Sequence, residues 1–354
     1  MKKRLSEYIE YMQKLRDIEG IIQLLAWDKE VNIIPESAPF RSRQIALMSK
    51  LHHQMFTDEK FGELLNSLLN DSALPEKQRR NIELTWKDYQ RARRIPQEFI
   101  EEFSELTSNA FHQWHKAKKN KQFEIFAPTL ERIIQMVIEK AKLLGFQGTP
   151  YNALLNEYEE GLNVEECNRI FNALKPQLKE IINKIVSSGK KINTKFLNGN
   201  FSIEKQKEFN ISMALQLGFD MRAGNISISP HPFTTQISIN DSRITTSYNS
   251  RDITAAIFST IHEFGHAIYD SNLPVEYYGT PCGSSMGMVI HESQSRLWEN
   301  NIGRSLPFWE YFFPILRSFF YEKLSNVSPR KFYEAINVVK PSTIRIYADE
   351  VTYH

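Results

Sequence analysis

The 354 residues can bury a large core, enough for one large domain or two lobes, and the composition is that of a soluble globular protein. Lys and Arg total 44 against 42 Asp and Glu, so the net charge of +2 makes no electrostatic case for nucleic acid or an anionic membrane. Cys167 and Cys282 make no disulfide framework, no run approaches the ~18 apolar residues of a membrane span, and the N-terminus lacks the apolar core of a signal peptide, so a cytoplasmic protein is expected.

In chain order, Tyr8, Met12, Leu15, Ile18, Ile22 and Leu25 keep helical spacing from Leu5 to Trp27, and a break follows at Pro35. Further helices are predicted around Ile45, Met48 and Leu51; Phe61, Leu65 and Leu68; and Ile82, Trp86 and Tyr89. Pro96 opens a run through Phe99 to Trp114, and another runs from Phe126 to Ala141 until Gly145, Gly148 and Pro150 stop it. These aromatic stripes read as core. Lys118-Lys119 and Lys190-Lys191 read as solvated faces or loop tips.

Val164 to Val186 is a long helical candidate that Pro176 should kink or split. Cys167 falls among its apolar positions, so a reduced interior thiol is expected. Ile203 to Leu217 is again helical. The stretch from Ile226 to Tyr248 then alternates and is rich in β-branched residues, with a turn near Asn240-Asp241, and predicts a small β-sheet. Such a strand beside the next helix offers an extended peptide an edge to pair with. Phe308, Trp309, Phe312, Phe313, Leu316 and Phe319 form a packing stripe further on.

The stretch His262-Glu263-Phe264-Gly265-His266 carries the chemistry. Residues four apart on a helix lie on one face, roughly 6 Å apart, so both imidazoles can reach one metal ion with Glu263 beside it, the H-E-x-x-H pattern of zinc peptidases. In the bland alternative His262 and His266 are ordinary half-buried histidines. Against it, Ile253, Ile257, Ile261, Phe264 and Ile268 have the period of an amphipathic helix. Gly265 inside that helix costs about 1 kcal/mol relative to Ala, which makes sense if something approaches that turn closely. Glu292, at the start of another helix-like run, is a candidate third ligand, and two His and a Glu with an open position for water suit catalytic zinc.

With these residues in place, the sequence resembles the thermostable carboxypeptidases typified by carboxypeptidase Taq. The matching text includes His231-Pro-Phe-Thr-Thr235, Asp241-Ser-Arg-Ile-Thr245, His291-Glu-Ser-Gln294, Ile344-Arg345 with Ala348-Asp349-Glu350, and Leu24-Leu-Ala-Trp-Asp28. The resemblance implies a mainly α, multi-helix zinc-peptidase fold with a small β-sheet beside the active-site helix and a deep central groove. It implies a single catalytic domain of two helical lobes over residues 1–354, a homodimer, and removal of single residues from peptide C-termini with broad specificity. His262, His266 and Glu292 would hold one ion per chain, Zn2+ by default, with Co2+ or Mn2+ able to use the same ligands. Glu263 would be the general base. Arg345 is the candidate clamp for the substrate's terminal carboxylate, since a guanidinium grips a carboxylate with two hydrogen bonds; its alternative is a helix-start salt bridge. His231 could bond the substrate backbone or be structural. Asp241 and Arg243 could orient a ligand, line the groove, or pair across a turn. His291, beside the third ligand, is not assigned as one, because adjacent helical residues point different ways. Gln294 and Glu299 are candidates to support the ligands.

The sequence departs from the family at its end. Val351-Thr-Tyr-His354 falls inside an expected helix, ahead of the family's later Q-D-x-H-W element and of the downstream Tyr and His that stabilise the oxyanion in related zinc peptidases. Losing one such donor typically costs about 100- to 1,000-fold in rate, so a shortened chain with its activity in question is expected. Tyr347 stands where an acidic residue is expected. Two further readings remain open at this point: a metallo-oligopeptidase cutting internal bonds, and an inactive zinc-binding fragment that needs a partner chain.

Overall fold

The computed structural model describes residues 2–339. Among them the chain is mainly helical with one small sheet, and two compact units separate. No described helix is long and apolar enough to cross a membrane.

The first unit comprises the described residues of Met1–Gly161, Thr235–Ser242 and Asp270–Gly287. Its helices are α1 (Lys2–Val31), α2 (Ala38–Phe56), α3 (Glu59–Leu69), α4 (Glu76–Ala92), α5 (Gln97–Asn120), α6 (Ala127–Leu144) and α7 (Pro150–Tyr158). The punctuation is local chemistry. A short 3-10 turn at Pro35–Ser37 separates α1 from α2, the Asp58 carboxylate accepts the Lys60 and Phe61 amides at the start of α3, and Gly145 with φ +75° ends α6. The predicted stripes form two cores, one around Tyr8, Phe61, Leu65, Leu68, Ile82 and Tyr89, the other around Ile95, Phe99, Met136 and Leu144.

The second unit comprises the described residues of Leu162–Thr234, Arg243–Tyr269 and Met288–His354. It contains α8 (Val164–Ser187), α9 (Ile203–Gln216) and strand β1 (Gly224–Ile228), while strands β2 (Thr234–Ser238) and β3 (Asp241–Thr246) divide between the units, with Thr234 and the part of β3 from Arg243 falling here. Then come α10 (Thr254–Ser271), α11 (Met288–Arg296), a π-turn over Leu297–Ile302, α12 (Leu306–Phe319), α13 (Tyr321–Leu324) and α14 (Pro329–Ile336). Asp252 caps the start of α10, accepting from the Thr254 amide and hydroxyl. The predicted stripe of α12 finds its partners here: Trp309, Phe313 and Leu316 are buried with Phe332 of α14 and with Ile257 and Ile261 of α10 in one core.

The strand order is β1-β3-β2, with the predicted turn falling between β2 and β3. Within the first unit α1 already covers part of β2: Arg16 donates to the Gln236 carbonyl at 3.1 Å, and Gly20 lies against the Ile237 carbonyl. That stretch of edge is therefore not free for strand addition.

Two expectations change. Pro176 sits inside an unbroken α8 and does not split it. Cys167 is a free thiol but not an interior one, since it is only partly buried on a helix that has no fully buried residue. Amphipathic spacing identifies a face that can pack; it does not supply a partner for it.

The first unit also buries a lysine. Lys29 is 7% exposed, with its ammonium 3.3 Å from the Ser108 hydroxyl and 5.3 Å from the centre of the Phe111 ring. Burial pushes its pKa down, and the nearby Glu30 only partly opposes this. A folded-state value below the unfolded one means that the charged form is disfavoured in the fold. The destabilisation is complete below the folded pKa and fades as pH rises toward the ordinary lysine range of about 10.4. Lys29→Met is therefore expected to stabilise the chain by about 1 kcal/mol at neutral pH. Urea unfolding at pH 7 and pH 10 checks this, with the gain shrinking at the higher pH.

Candidate metal centre

The apolar stripe of α10 determines where its polar residues go. Ile257, Ile261 and Phe264 are buried in the core, and the adjoining face presents His262, Glu263 and His266. The third group arrives from α11, because two backbones meet closely at Gly265. A Cβ there would stand 2.6 Å from the Ser295 Cα and 2.9 Å from the Gln294 carbonyl oxygen, distances that no side chain tolerates. The glycine's helix cost thus has the close approach expected of it.

This contact brings Glu292 to the histidines. Its Oε2 lies 3.6 Å from His262 Nε2 and 3.3 Å from His266 Nε2, and the candidate ligand atoms of the three residues all lie within 4.8 Å of one another. A tetrahedral ion with bonds of ~2.0–2.1 Å separates its ligand atoms by roughly 3.4 Å. Two imidazole nitrogens and one carboxylate oxygen at these spacings could hold a metal ion.

Each candidate ligand is held from behind. His262 Nδ1 is 2.9 Å from the Glu299 carboxylate, whose residue is 6% exposed. A ligating histidine that gives its other N–H to a carboxylate has its tautomer and ring orientation set. His266 is held differently: its buried Nδ1 has no hydrogen-bond partner among the described residues, and its ring stacks on His291 with centroids 4.4 Å apart and planes 15° apart. Glu292 Oε1 accepts from Arg296 at 3.0 Å. Glu263 is buried beside the trio, and the Thr234 hydroxyl donates to its Oε2 at 2.6 Å.

The environments separate the carboxylates. Burial would raise Glu292, but the His266 hydrogen bond, the His262 charge and Arg296 outweigh it and bring the pKa down to about 2. Glu299 is likewise lowered against its burial, by His262, Arg296 and Arg304. Glu263 moves the other way, raised by burial despite the Thr234 bond and both histidines. His262, which burial alone would depress, is raised by Glu299 and the neighbouring acids. A carboxylate held ionised as a ligand and a more basic one beside it are what ligation and proton transfer respectively require.

The trio opens into a cleft of ≈ 640 Å³ contained within the second unit, lined by His231, His262, Glu263, Glu292, Arg296 and Glu299, with Phe258, Arg304, Ile336 and Val338 among its other walls. His231 is therefore brought to the site. Asp241 and Arg243 lie on β3, outside the lining of this cleft. Arg345 lies outside the described residues. Thr234, Arg304 and the stacking role of His291 have no signal in the sequence, since each depends on which elements meet; Arg296 has one, its four- and three-residue spacing to Glu292 and Glu299.

The sequence model of a family described as carboxypeptidase Taq (M32) metallopeptidase matches residues 7–354. The chain belongs to this family. It is 37% identical to thermostable carboxypeptidase 1 of Thermus thermophilus over 98% of its own length and 70% of that protein's. The solved structure of a protein named BsuCP superposes with a TM-score of 0.96 at 32% identity, over 99% of this chain and 70% of that one. The M32 carboxypeptidase of Deinococcus radiodurans R1 superposes with a TM-score of 0.87 at 34% identity, over 96% and 68%. Membership places the chain among metallocarboxypeptidases, which are peptide hydrolases.

Gly265→Ala forces α10 and α11 apart at the point where the trio converges. The expected result is at least a tenfold loss of metal affinity by chelator competition, with about 1–3 kcal/mol of destabilisation from overpacking. Affinity equal to that of the parent chain would show that the close contact does not set the ligand spacing.

Proposed function

We propose that the chain is a zinc-dependent metallocarboxypeptidase of broad specificity, hydrolysing the C-terminal bond of peptides. The observation that carries this reading is Glu263, buried beside three convergent ligand atoms in an open cleft, with one carboxylate oxygen held by Thr234. His262, His266 and Glu292 would hold the ion. When bound, zinc supplies Lewis acidity, polarising a carbonyl and lowering the pKa of water.

The protein's own groups do the rest. Thr234 occupies Glu263 Oε2 and so orients Oε1 as the proton acceptor for a water in the cleft. The raised pKa of Glu263 makes it a better base, and once protonated it can pass that proton to the leaving amine. His231 lines the same cleft and can hydrogen-bond the peptide backbone. Exopeptidase action needs a group that captures the terminal carboxylate; Arg345 is the proposed clamp, on the strength of the resemblance. The resemblance also extends the proposal to a homodimer working in the cytoplasm.

Glu263→Gln removes the base and leaves the ligands. It is expected to retain one zinc per chain and to lose about 100- to 10,000-fold in kcat on a short peptide. With the parent chain, a free-acid peptide should lose residues stepwise while its C-terminal amide resists. Equal cleavage of both would favour an internal-bond peptidase, and zinc binding with no hydrolysis of either would contradict catalysis by this chain.

A further inference from the structure

Arg296, the last residue of α11, sits one turn beyond Glu292 and reaches two carboxylates at once. Its Nε donates to Glu292 Oε1 at 3.0 Å, and its Nη1 donates to Glu299 Oε2 at 3.1 Å. Glu299 Oε2 is the same oxygen that faces His262 Nδ1 at 2.9 Å. One guanidinium is therefore joined to two of the three proposed ligands, directly to Glu292 and through Glu299 to His262.

The local backbone is built for this. α-Helical winding stops at Arg296, and Leu297–Ile302 follows a π-turn closed by the Gly303 amide on the Trp298 carbonyl at 2.7 Å. Such wide turns concentrate at functional sites. A close contact accompanies it, since a Cβ on Gly303 would stand 3.0 Å from Ile261 Cδ1 of α10. The turn carries Glu299 inward beneath His262, where Arg304 faces its other oxygen at 3.6 Å.

We infer that Arg296 is a positioning residue that restricts Glu292 to ligation through one oxygen, keeping the fourth coordination position open for water. The inference rests on the metal-site reading above. Glu292 Oε2 is turned to both histidines and also accepts from the Ser295 hydroxyl at 3.2 Å, whereas Oε1 is engaged by the guanidinium. A carboxylate released from that bond can offer both oxygens to the ion, so that water would enter as a fifth ligand instead of the fourth. A planar, forked guanidinium presents donors in fixed directions to both carboxylates; an ammonium on a flexible stem is a compact point charge that does not fix the two of them in place. Through Glu299, the same residue helps hold His262 with Nε2 as the ligating nitrogen.

Cobalt substitution tests this without relying on turnover, because the visible spectrum of Co2+ reports coordination number. The parent chain should show the intense bands of four-coordinate cobalt. Arg296→Lys should bind it about 10- to 100-fold more weakly and show the weaker bands of a five-coordinate ion. Glu299→Gln, which leaves Arg296 on Glu292, should lose affinity yet keep the four-coordinate spectrum. Parent affinity and spectrum in Arg296→Lys would overturn the inference alone. A parent chain that takes up no cobalt would overturn the metal reading and this inference with it. Should Arg296→Lys not fold, X-ray absorption on the zinc-loaded parent decides: one carboxylate oxygen at ~2.0–2.2 Å supports the assignment, and two bonded oxygens contradict it.

Discussion

Gly265 and Ser295 let two helix backbones meet more closely than any side chain at position 265 would allow, and the site depends on that contact. Without it α10 offers two histidines and an acid on one face, a pattern that many helices carry by chance. With it Glu292 comes to 3.3 Å from His266 and 3.6 Å from His262. A glycine in mid-helix costs about 1 kcal/mol. Packing nearby offsets that cost: Phe264 of α10 is fully buried edge-on against Trp298 of the π-turn, with ring centres 4.8 Å apart.

A second constraint is electrostatic. Glu263, Glu292 and Glu299 are crowded around two histidines, and three acids so close would repel one another if each were not separately compensated. Glu292 has the imidazoles on one oxygen and Arg296 on the other, and Glu299 has His262, Arg296 and Arg304. Glu263 has a neutral hydroxyl from Thr234, so burial keeps its pKa raised while those of the other two are lowered. Similar side chains thus acquire different chemical roles from what surrounds them. The sheet contributes here too, because Thr234 opens β2 and its hydroxyl also lies 3.0 Å from the Glu263 carbonyl.

What could be read from the sequence was periodic or local. The helices, the single sheet, the helical H-E-x-x-H and the close approach at Gly265 follow from spacing, β-branching and the cost of glycine. Glu292 was legible as a donor of the right type on another helical run, although it lies in the middle of α11 rather than at its start. The π-turn was not legible, since Leu297-Trp-Glu-Asn-Asn-Ile302 has no composition that distinguishes it from an α-helix. Thr234 acts across elements, and no one-dimensional spacing encodes such a meeting; Glu299 was legible as a supporting group, and Arg296 carries a local signal in its three- and four-residue spacing to Glu299 and Glu292. His291 shows the limit of an argument from helix direction: it is not one of the three candidate ligands, yet its ring stacks on His266. α8 shows the limit of amphipathicity, since Phe171, Ile181 and Ile185 keep helical spacing and remain exposed.

The proposed function requires that His262, His266 and Glu292 together hold one ion. Anomalous diffraction from crystals loaded with zinc, collected on either side of the zinc absorption edge, tests it most directly. A single strong peak per chain, bonded to both Nε2 atoms and to Glu292 Oε2, is the expected result. A peak that excludes Glu292, or none at saturating zinc, would contradict it.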